Sequence, residues 1–294
     1  MKELIINADD FGLSSGANRA IITAWREGIL TSASLMVNGA ACAEAVALAR
    51  DNPGLQVGLH LTLVQGKATA PYDGFPSITD RAGDFSNDPV MAGMRYFFLK
   101  SLRRQLKAEI EGQIVKFTET GLPLSHIDGH LNIHMHPTVF DILLPLMPKY
   151  GMSTFRLSRE RLVADLFLAP RRFAGKAADS FIFGRLAARC RPELGRRGIG
   201  YTAEVKGLLN SGRMTEDYLL GALDRLGDGV TEIYFHPGCH PDEALRKWMP
   251  DYRHEDELAA LTSPRVKEKL EALGIVLRNY RGEQKKVDRL KAEG

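Results

Sequence analysis

Short apolar runs alternate with amphipathic stretches from the first residues of the chain onward. "LIINA" (4–8) reads as a buried strand that stops at two acids, Asp9 and Asp10. "SGANRAIITAWREG" (15–28) follows with helical spacing, and Gly28 is expected to end it in a left-handed turn. The alternation continues with strand 33–39, helix 41–51, strand 55–61, a helix over about 102–120 and strand 124–128. The next helix opens at Pro137, proline being favoured in the first helical position. Strands at 153–158, 231–237 and 274–280 complete the series.

Strands that are apolar throughout and separated by helices predict a parallel sheet covered on its faces, an α/β fold. About seven strands over this length predict a (β/α) barrel, incomplete or distorted. An open doubly wound sheet is the competing arrangement. Two stretches interrupt the rhythm, 66–100, which is rich in Gly, Pro and Asp in its first half, and 159–200. No internal repeat, low-complexity tract or linker is visible. The expectation is therefore a single barrel domain over 1–294 with a helical insertion at about 159–200. The tail "EQKKVDRLKAEG" (283–294) is expected to be solvated.

The same pattern places chemistry at strand ends. Asp9, Asp10, His60, Asp128, His130, Arg156 and His236 each end or closely follow a predicted strand. In a parallel barrel all such ends lie on one face, where active sites are built. Residues more than two hundred positions apart can then meet.

Composition narrows the class. The 294 residues are 44% hydrophobic and 26% charged, ordinary for a soluble globular protein. The three cysteines, Cys42, Cys190 and Cys239, are far apart and form no CxxC pair, so they read as reduced thiols of a cytoplasmic protein. Cys239, close to two histidines, is a candidate accessory ligand. The N-terminus lacks the apolar core of a signal peptide, and no run approaches the ~18 apolar residues of a membrane span. A net charge of +3 gives no reason to expect a nucleic-acid partner. Its distribution says more: between Arg156 and Arg197 eleven Arg and Lys face four acids, so the rest of the chain is net acidic. These arginines are interleaved with Leu, Phe and Ile, as in helices that lie at a membrane interface.

Two adjacent carboxylates after an apolar strand are costly to bury without a cation or hydrogen bonds to receive them. Asp9 and Asp10 read either as a metal ligand beside a base, or as a turn or cap, with Ser14 able to cap the next helix. His60, inside an apolar strand end, is either a core histidine or a ligand. With Asp10 and His130 it makes a mixed N/O set suited to Zn²⁺ and other borderline cations. In "SHIDGHLNIHMHP" (125–137) four of the chain's eight histidines fall within eleven positions. His126, Asp128 and His130 alternate and so share a face of an extended strand. Of these only His130 need reach a metal, with Asp128 orienting it. His134 and His136 follow the strand and read as pocket-lining or structural. His236, before Pro237 and Gly238, is a candidate general acid or a turn residue. Arg156 either holds a catalytic carboxylate ionised or is a surface arginine.

In this order, "NADDFGLS", "GLHLTL", "HIDGHLNIHMHP", "FRLSRE" and "EIYFHPG" resemble the YdjC-like carbohydrate deacetylases, over about residues 3 to 280. "SASLMVNG", "MAGMRYFF" and "SGRMTEDYLL" further resemble the hopanoid-biosynthesis-associated branch. The resemblance implies a (β/α) barrel related to that of polysaccharide deacetylases. It also implies a divalent metal ion, zinc or magnesium, and hydrolytic removal of acetyl groups from N-acetylated sugars. Carried over by motif, Asp10, His60 and His130 would hold the metal, Asp9 would be the base, His236 the acid, and Arg156 the partner that orients Asp9. Asn132 departs from the pattern, standing where relatives often have another histidine. The branch implies an N-acetylglucosaminyl hopanoid lipid as substrate. The basic stretch 159–200, with 94–107, would then dock peripherally on the inner membrane face. An amphipathic helical pair packed on the barrel is the plainer reading of that stretch. Two rival functions stand beside this one, a metal-dependent phosphoester hydrolase and a non-catalytic sugar or lipid binder. The first lacks a second carboxylate cluster and a phosphate-cradling glycine loop.

Overall fold

The apolar run beginning at Leu4 becomes the middle of the sheet. In the computed structural model, which describes residues 1–285, strand β1 (Lys2–Phe11) is buried at every position from Leu4 onward. β2 (Ser32–Leu35), β3 (Gln56–Leu61) and β4 (Leu124–Gly129) extend the sheet on one side. β5 (Glu204–Lys206) and β6 (Gly229–Phe235) extend it on the other, in the order β4-β3-β2-β1-β6-β5. β7 (Val276–Leu277) pairs with the start of β1 through Glu3 and Leu4. Every pairing is parallel. β2 and β3 are buried along their whole length, as expected of strands covered on both faces.

The sheet curls, and its edges β4 and β5 approach each other through residues 153–159. Phe155 bridges Ile127 of β4, Thr154 bridges Gly200, and the Arg159 carbonyl accepts from the Val205 N–H of β5 at 3.1 Å. The fold is thus an incomplete (β/α) barrel. The strand expected at 153–158 makes only single bridges to either side and forms no ladder of its own. β5, short and polar (Glu-Val-Lys), carries no apolar run and is invisible to periodicity.

Helices Ser15–Glu27, Cys42–Arg50, Arg103–Glu119 and Pro137–Lys149 cover the sheet, with Glu216–Asp224, His254–Thr262 and Pro264–Ala272 on the β6 side. Ser14 caps the first of them by accepting from the Ala17 N–H at 3.2 Å, which leaves the aspartates of β1 free of that task. Gly28 ends this helix in extended, not left-handed, backbone (φ −124°). Glycine is needed there for close approach, because a Cβ would lie 2.3 Å from the Leu261 carbonyl oxygen. The 66–100 stretch is a loop held by antiparallel bridges Lys67–Asp84 and Thr79–Phe85, followed by helix Pro89–Phe98. The basic stretch forms helices Leu162–Leu168 and Phe173–Arg196. Among the described residues no helix is long and apolar enough to cross a membrane. Residues 286–294, the greater part of the tail expected to be solvated, lie outside the described residues.

Candidate active site

Consecutive strand residues point to opposite faces, so Asp9 and Asp10 should diverge. A register shift against β2 between Ala8 and Phe11 prevents this, and Asp10 takes φ +64°. Aspartate is among the few residues that tolerate this left-handed conformation. The bulge brings both carboxylates to the C-terminal pole of the sheet, where both come close to His60 at the end of β3. The β3–β4 register sets His60 opposite Asp128, and His130 is the first residue past β4. Strands that are far apart in the chain therefore deliver these side chains to one spot.

Ligand-capable atoms of Asp10, His60 and His130 lie within 4.8 Å of one another, all three residues buried. His130 Nδ1 is 3.0 Å and His60 Nε2 3.3 Å from Asp10 Oδ1. Atoms held about 2.0–2.2 Å from one cation, at tetrahedral to octahedral angles, stand roughly 3.0–3.5 Å apart. Asp10 Oδ2 is buried without a hydrogen-bond partner. An orphaned carboxylate oxygen beside two imidazoles fits a divalent cation. Asp9, His60 and Asp128 form a second close group. There, however, Arg156 already pairs with both carboxylates.

Arg156 is fully buried, which rules out the surface reading. Its Nη1 and Nη2 each donate to an Asp9 oxygen at 2.7 Å, its Nη2 also lies 2.8 Å from Asp128 Oδ2, and its Nε donates to Glu232 at 2.6 Å. The guanidinium stacks over the Tyr234 ring at 4.5 Å. Burial opposes a charge on His60, but the carboxylates of Asp128 and Asp9 outweigh it and push the imidazole up to about 10. Burial also opposes charge on Asp10, where His130 and His60 prevail and hold the carboxyl well below its usual range. The pocket is thus electrostatically tuned for positive charge.

Asp128 accepts from His60 Nδ1 at 2.8 Å, so it orients His60 and not His130, contrary to the sequence expectation. Adjacent strands in register place side chains closer than alternation along one strand does. His134 donates through Nε2 to the Arg156 carbonyl at 2.8 Å, and His136 likewise to the Gly93 carbonyl at 3.0 Å. Both are structural contacts. Cys239 belongs to neither candidate ligand group.

His236 follows β6, with its Nε2 4.0 Å from Asp9 Oδ2. Its backbone is pinned: the N–H donates to Glu257 at 2.5 Å and the carbonyl accepts from His254 Nδ1 at 2.7 Å. Burial pushes its imidazole down to about 4. Tyr234, two residues earlier, lines the same cavity, and its i, i+2 spacing from His236 is the signal that the sequence carries for it. Glu232 continues the same alternation on that strand, whereas Glu257 has no local signal and meets His236 only through packing.

Asp9, His130, Asn132, Tyr234, His236 and Tyr252 line one cavity of about 340 Å³. Pro89, Leu131 and Phe183 give its wall an apolar sector. Large apolar side chains face outward on three helices, two of which supply Pro89 and Phe183 to this wall: Val90, Met94, Phe97 and Phe98 on Pro89–Phe98, Val163 and Phe167 on Leu162–Leu168, and Phe173, Phe181 and Ile182 on Phe173–Arg196. Phe167 is 74% and Phe181 71% exposed, and Arg171, Arg172 and Arg185 stand exposed among them.

The profile of the family described as YdjC-like protein matches residues 3–272. A carbohydrate deacetylase of Geobacillus stearothermophilus is 30% identical over 280 residues, 94% of this chain and 96% of that one. A carbohydrate deacetylase of Brevibacillus brevis is 39% identical over 148 residues, 50% of this chain and only 56% of its own. A crystal structure from Enterococcus faecalis, of a protein whose description proposes cellobiose-phosphate cleavage, superposes with a TM-score of 0.73 at 27% identity. The match covers 95% of this chain and 98% of that one.

Proposed function

The chain belongs to the YdjC-like protein family, and on that premise we propose that it is a metal-dependent carbohydrate N-deacetylase, releasing acetate from an N-acetylated amino sugar. The observation that carries this reading is the convergence of Asp10, His60 and His130 on one point, with Asp9 and His236 in the adjoining cavity wall. A divalent cation, zinc or magnesium, held by those three residues supplies Lewis acidity toward an acetyl carbonyl and acidifies water.

Asp9 acts as the base. Arg156 and Asn7 grip it by three hydrogen bonds of 2.7–2.8 Å, so its position is fixed before substrate arrives. His236 delivers a proton to the departing sugar nitrogen, without which the amine is a poor leaving group. A resting His236 with a value of about 4 is neutral and must first acquire that proton. Asp9 Oδ2, 4.0 Å from His236 Nε2, is the adjacent donor once it has deprotonated water.

The sugar is carried on a lipid, and the hopanoid glycolipid suggested by the sequence motifs fits an apolar approach to the cavity. The aromatic and aliphatic side chains exposed on the helices that give Pro89 and Phe183 to the cavity wall support this, since apolar surface left exposed in quantity marks an interaction site. Exposed Arg171, Arg172 and Arg185 suit the anionic inner face of a membrane. Chelator-stripped protein should release acetate from an N-acetylglucosaminyl lipid only after Zn²⁺ or Mg²⁺ is restored. Unchanged release in the stripped protein sinks the metal requirement, and no release under any condition sinks the deacetylase reading.

A further inference from the structure

Beneath the proposed metal ligands the barrel interior is polar, and its hydrogen bonds converge on Asp128. Asp128 Oδ2 and Ser34 Oγ are 2.6 Å apart, a distance typical of a hydroxyl donating to a carboxylate. The single Ser34 proton must lie between them, because two oxygens at that distance without a proton repel. Ser34 can then only accept from its other neighbours. Asn7 Nδ2 donates to it at 2.8 Å, and His126 Nε2, 3.0 Å away, must therefore also carry a proton and donate. His126 Nδ1 lies 2.7 Å from the Ser125 hydroxyl, its second partner. At the upper end Asp128 Oδ1 accepts from His60 Nδ1 at 2.8 Å, which turns His60 Nε2 toward Asp10.

The links from His126 through Ser34 to Asp128 thus run one way, His60 donates into Asp128 from the other side, and these four residues and Ser125 are all buried. The fold makes room for it. His126 stacks on Tyr280 with ring centroids 3.8 Å apart, and on β3 a Cβ at Gly58 would fall 2.4 Å from the His126 ring. Only glycine leaves space for the imidazole at that point. His126 touches none of the reacting groups, yet it supplies the second of the two donors that saturate Ser34 and thereby fix the Asp128 carboxylate.

Resting on the reading of Asp10, His60 and His130 as a metal site, we propose that His126 is a positioning residue that sets the orientation of ligand His60 through Ser34 and Asp128. Loss of its Nε2 proton donor frees the Ser34 hydroxyl to turn away, and Asp128 then rests on Arg156 alone at that oxygen. Outer partners of metal-bound histidines typically contribute 10- to 100-fold in metal affinity.

The test is a Co²⁺ titration of chelator-stripped full-length protein, read by its visible absorption, with Zn²⁺ affinity by competition. His126→Phe keeps the stack on Tyr280 and removes only the hydrogen bonds. It should weaken both metals about 10- to 100-fold and shift the Co²⁺ bands. His126→Gln, whose amide can donate to Ser34, should restore most of the affinity and the wild-type spectrum. Ser34→Ala, nearly unchanged in volume, should reproduce the His126→Phe effect and serves if that variant does not fold. Wild-type affinity and spectrum in Ser34→Ala or folded His126→Phe would overturn the positioning role. Failure of the wild-type protein to bind either ion would instead remove the metal site itself.

Discussion

Arg156 grips Asp9 with two parallel hydrogen bonds of 2.7 Å each, and neither side chain is appreciably exposed to water. Such a fork fixes the plane of the carboxylate as well as its position. Asp9→Asn keeps the shape but cannot take a proton. Turnover should fall by about 10²–10⁴, the usual worth of a proton-transfer role. Zn²⁺ affinity, measured by competition with a chelator, should stay near wild type. Full activity in this variant would remove Asp9 from the chemistry.

The same guanidinium also contacts Asp128 and Glu232, so three buried carboxylates share one cation. Removing it leaves buried charge without a partner. Arg156→Met should cost about 3–5 kcal/mol in denaturant unfolding, far beyond a surface substitution. Arg156→Lys should recover little, because one ammonium cannot span three acceptors in fixed directions.

Asp10 sits at φ +64°, a conformation that asparagine tolerates and alanine does not. Without metal, Asp10→Asn should therefore melt below the wild type, having lost the carboxylate's pairing with His130 and His60, but above Asp10→Ala. It should also lose the rise in that temperature which Zn²⁺ produces in the wild type, because a ligand bound only to the native state stabilises by mass action. A wild-type zinc response in Asp10→Asn would place the cation elsewhere.

Much of this arrangement was legible in the sequence for a simple reason. Apolar strands end abruptly, and in a parallel sheet their ends share one face, so Asp10, His60, His130 and His236 could be assembled on paper. What stayed hidden depended on register and packing. That Asp128 serves His60 follows from the β3–β4 pairing, which no local pattern encodes. Gly28 looked like a left-handed cap but makes room for the Leu261 carbonyl of a helix more than two hundred residues away. The third support of Arg156, Glu232, shares a strand face with Tyr234 and His236, but that alternation does not tell that a buried cation stands opposite.

The apolar side chains beside the cavity predict behaviour at a lipid surface. Vesicles of anionic lipid should carry the protein upward in flotation at low salt. The double variant Phe167→Ser, Phe181→Ser should reduce that binding about a hundredfold or more, since each ring buried in lipid contributes roughly 1.5–3 kcal/mol. Hydrolysis of a short water-soluble N-acetylated substrate should be unaffected. Equal flotation of both proteins would dissociate the patch from membranes.

Glu160 joins the basic stretch to the barrel and gives stability a pH dependence of predictable sign. It is buried, accepting from the Leu209 N–H at 2.9 Å, with the Tyr218 hydroxyl 3.4 Å away. Beside it Asp165 binds Lys176 and Tyr218, each at 2.7 Å. Burial outweighs the Leu209 N–H and Lys206, and pushes the Glu160 carboxyl from an ordinary 4.5 up to about 7. Between those values the folded state holds a proton that the unfolded chain has lost, so stability falls as pH rises through this window and is level above it. The full span corresponds to about 3 kcal/mol as an upper figure. Glu160→Gln carries no charge at any pH and keeps an acceptor for the Leu209 N–H. It should match the wild type near pH 5 and exceed it at pH 8, with the difference growing through the window. Urea unfolding of both proteins at several pH values reads this directly. A constant difference across that range would mean that Glu160 is ionised in the fold throughout.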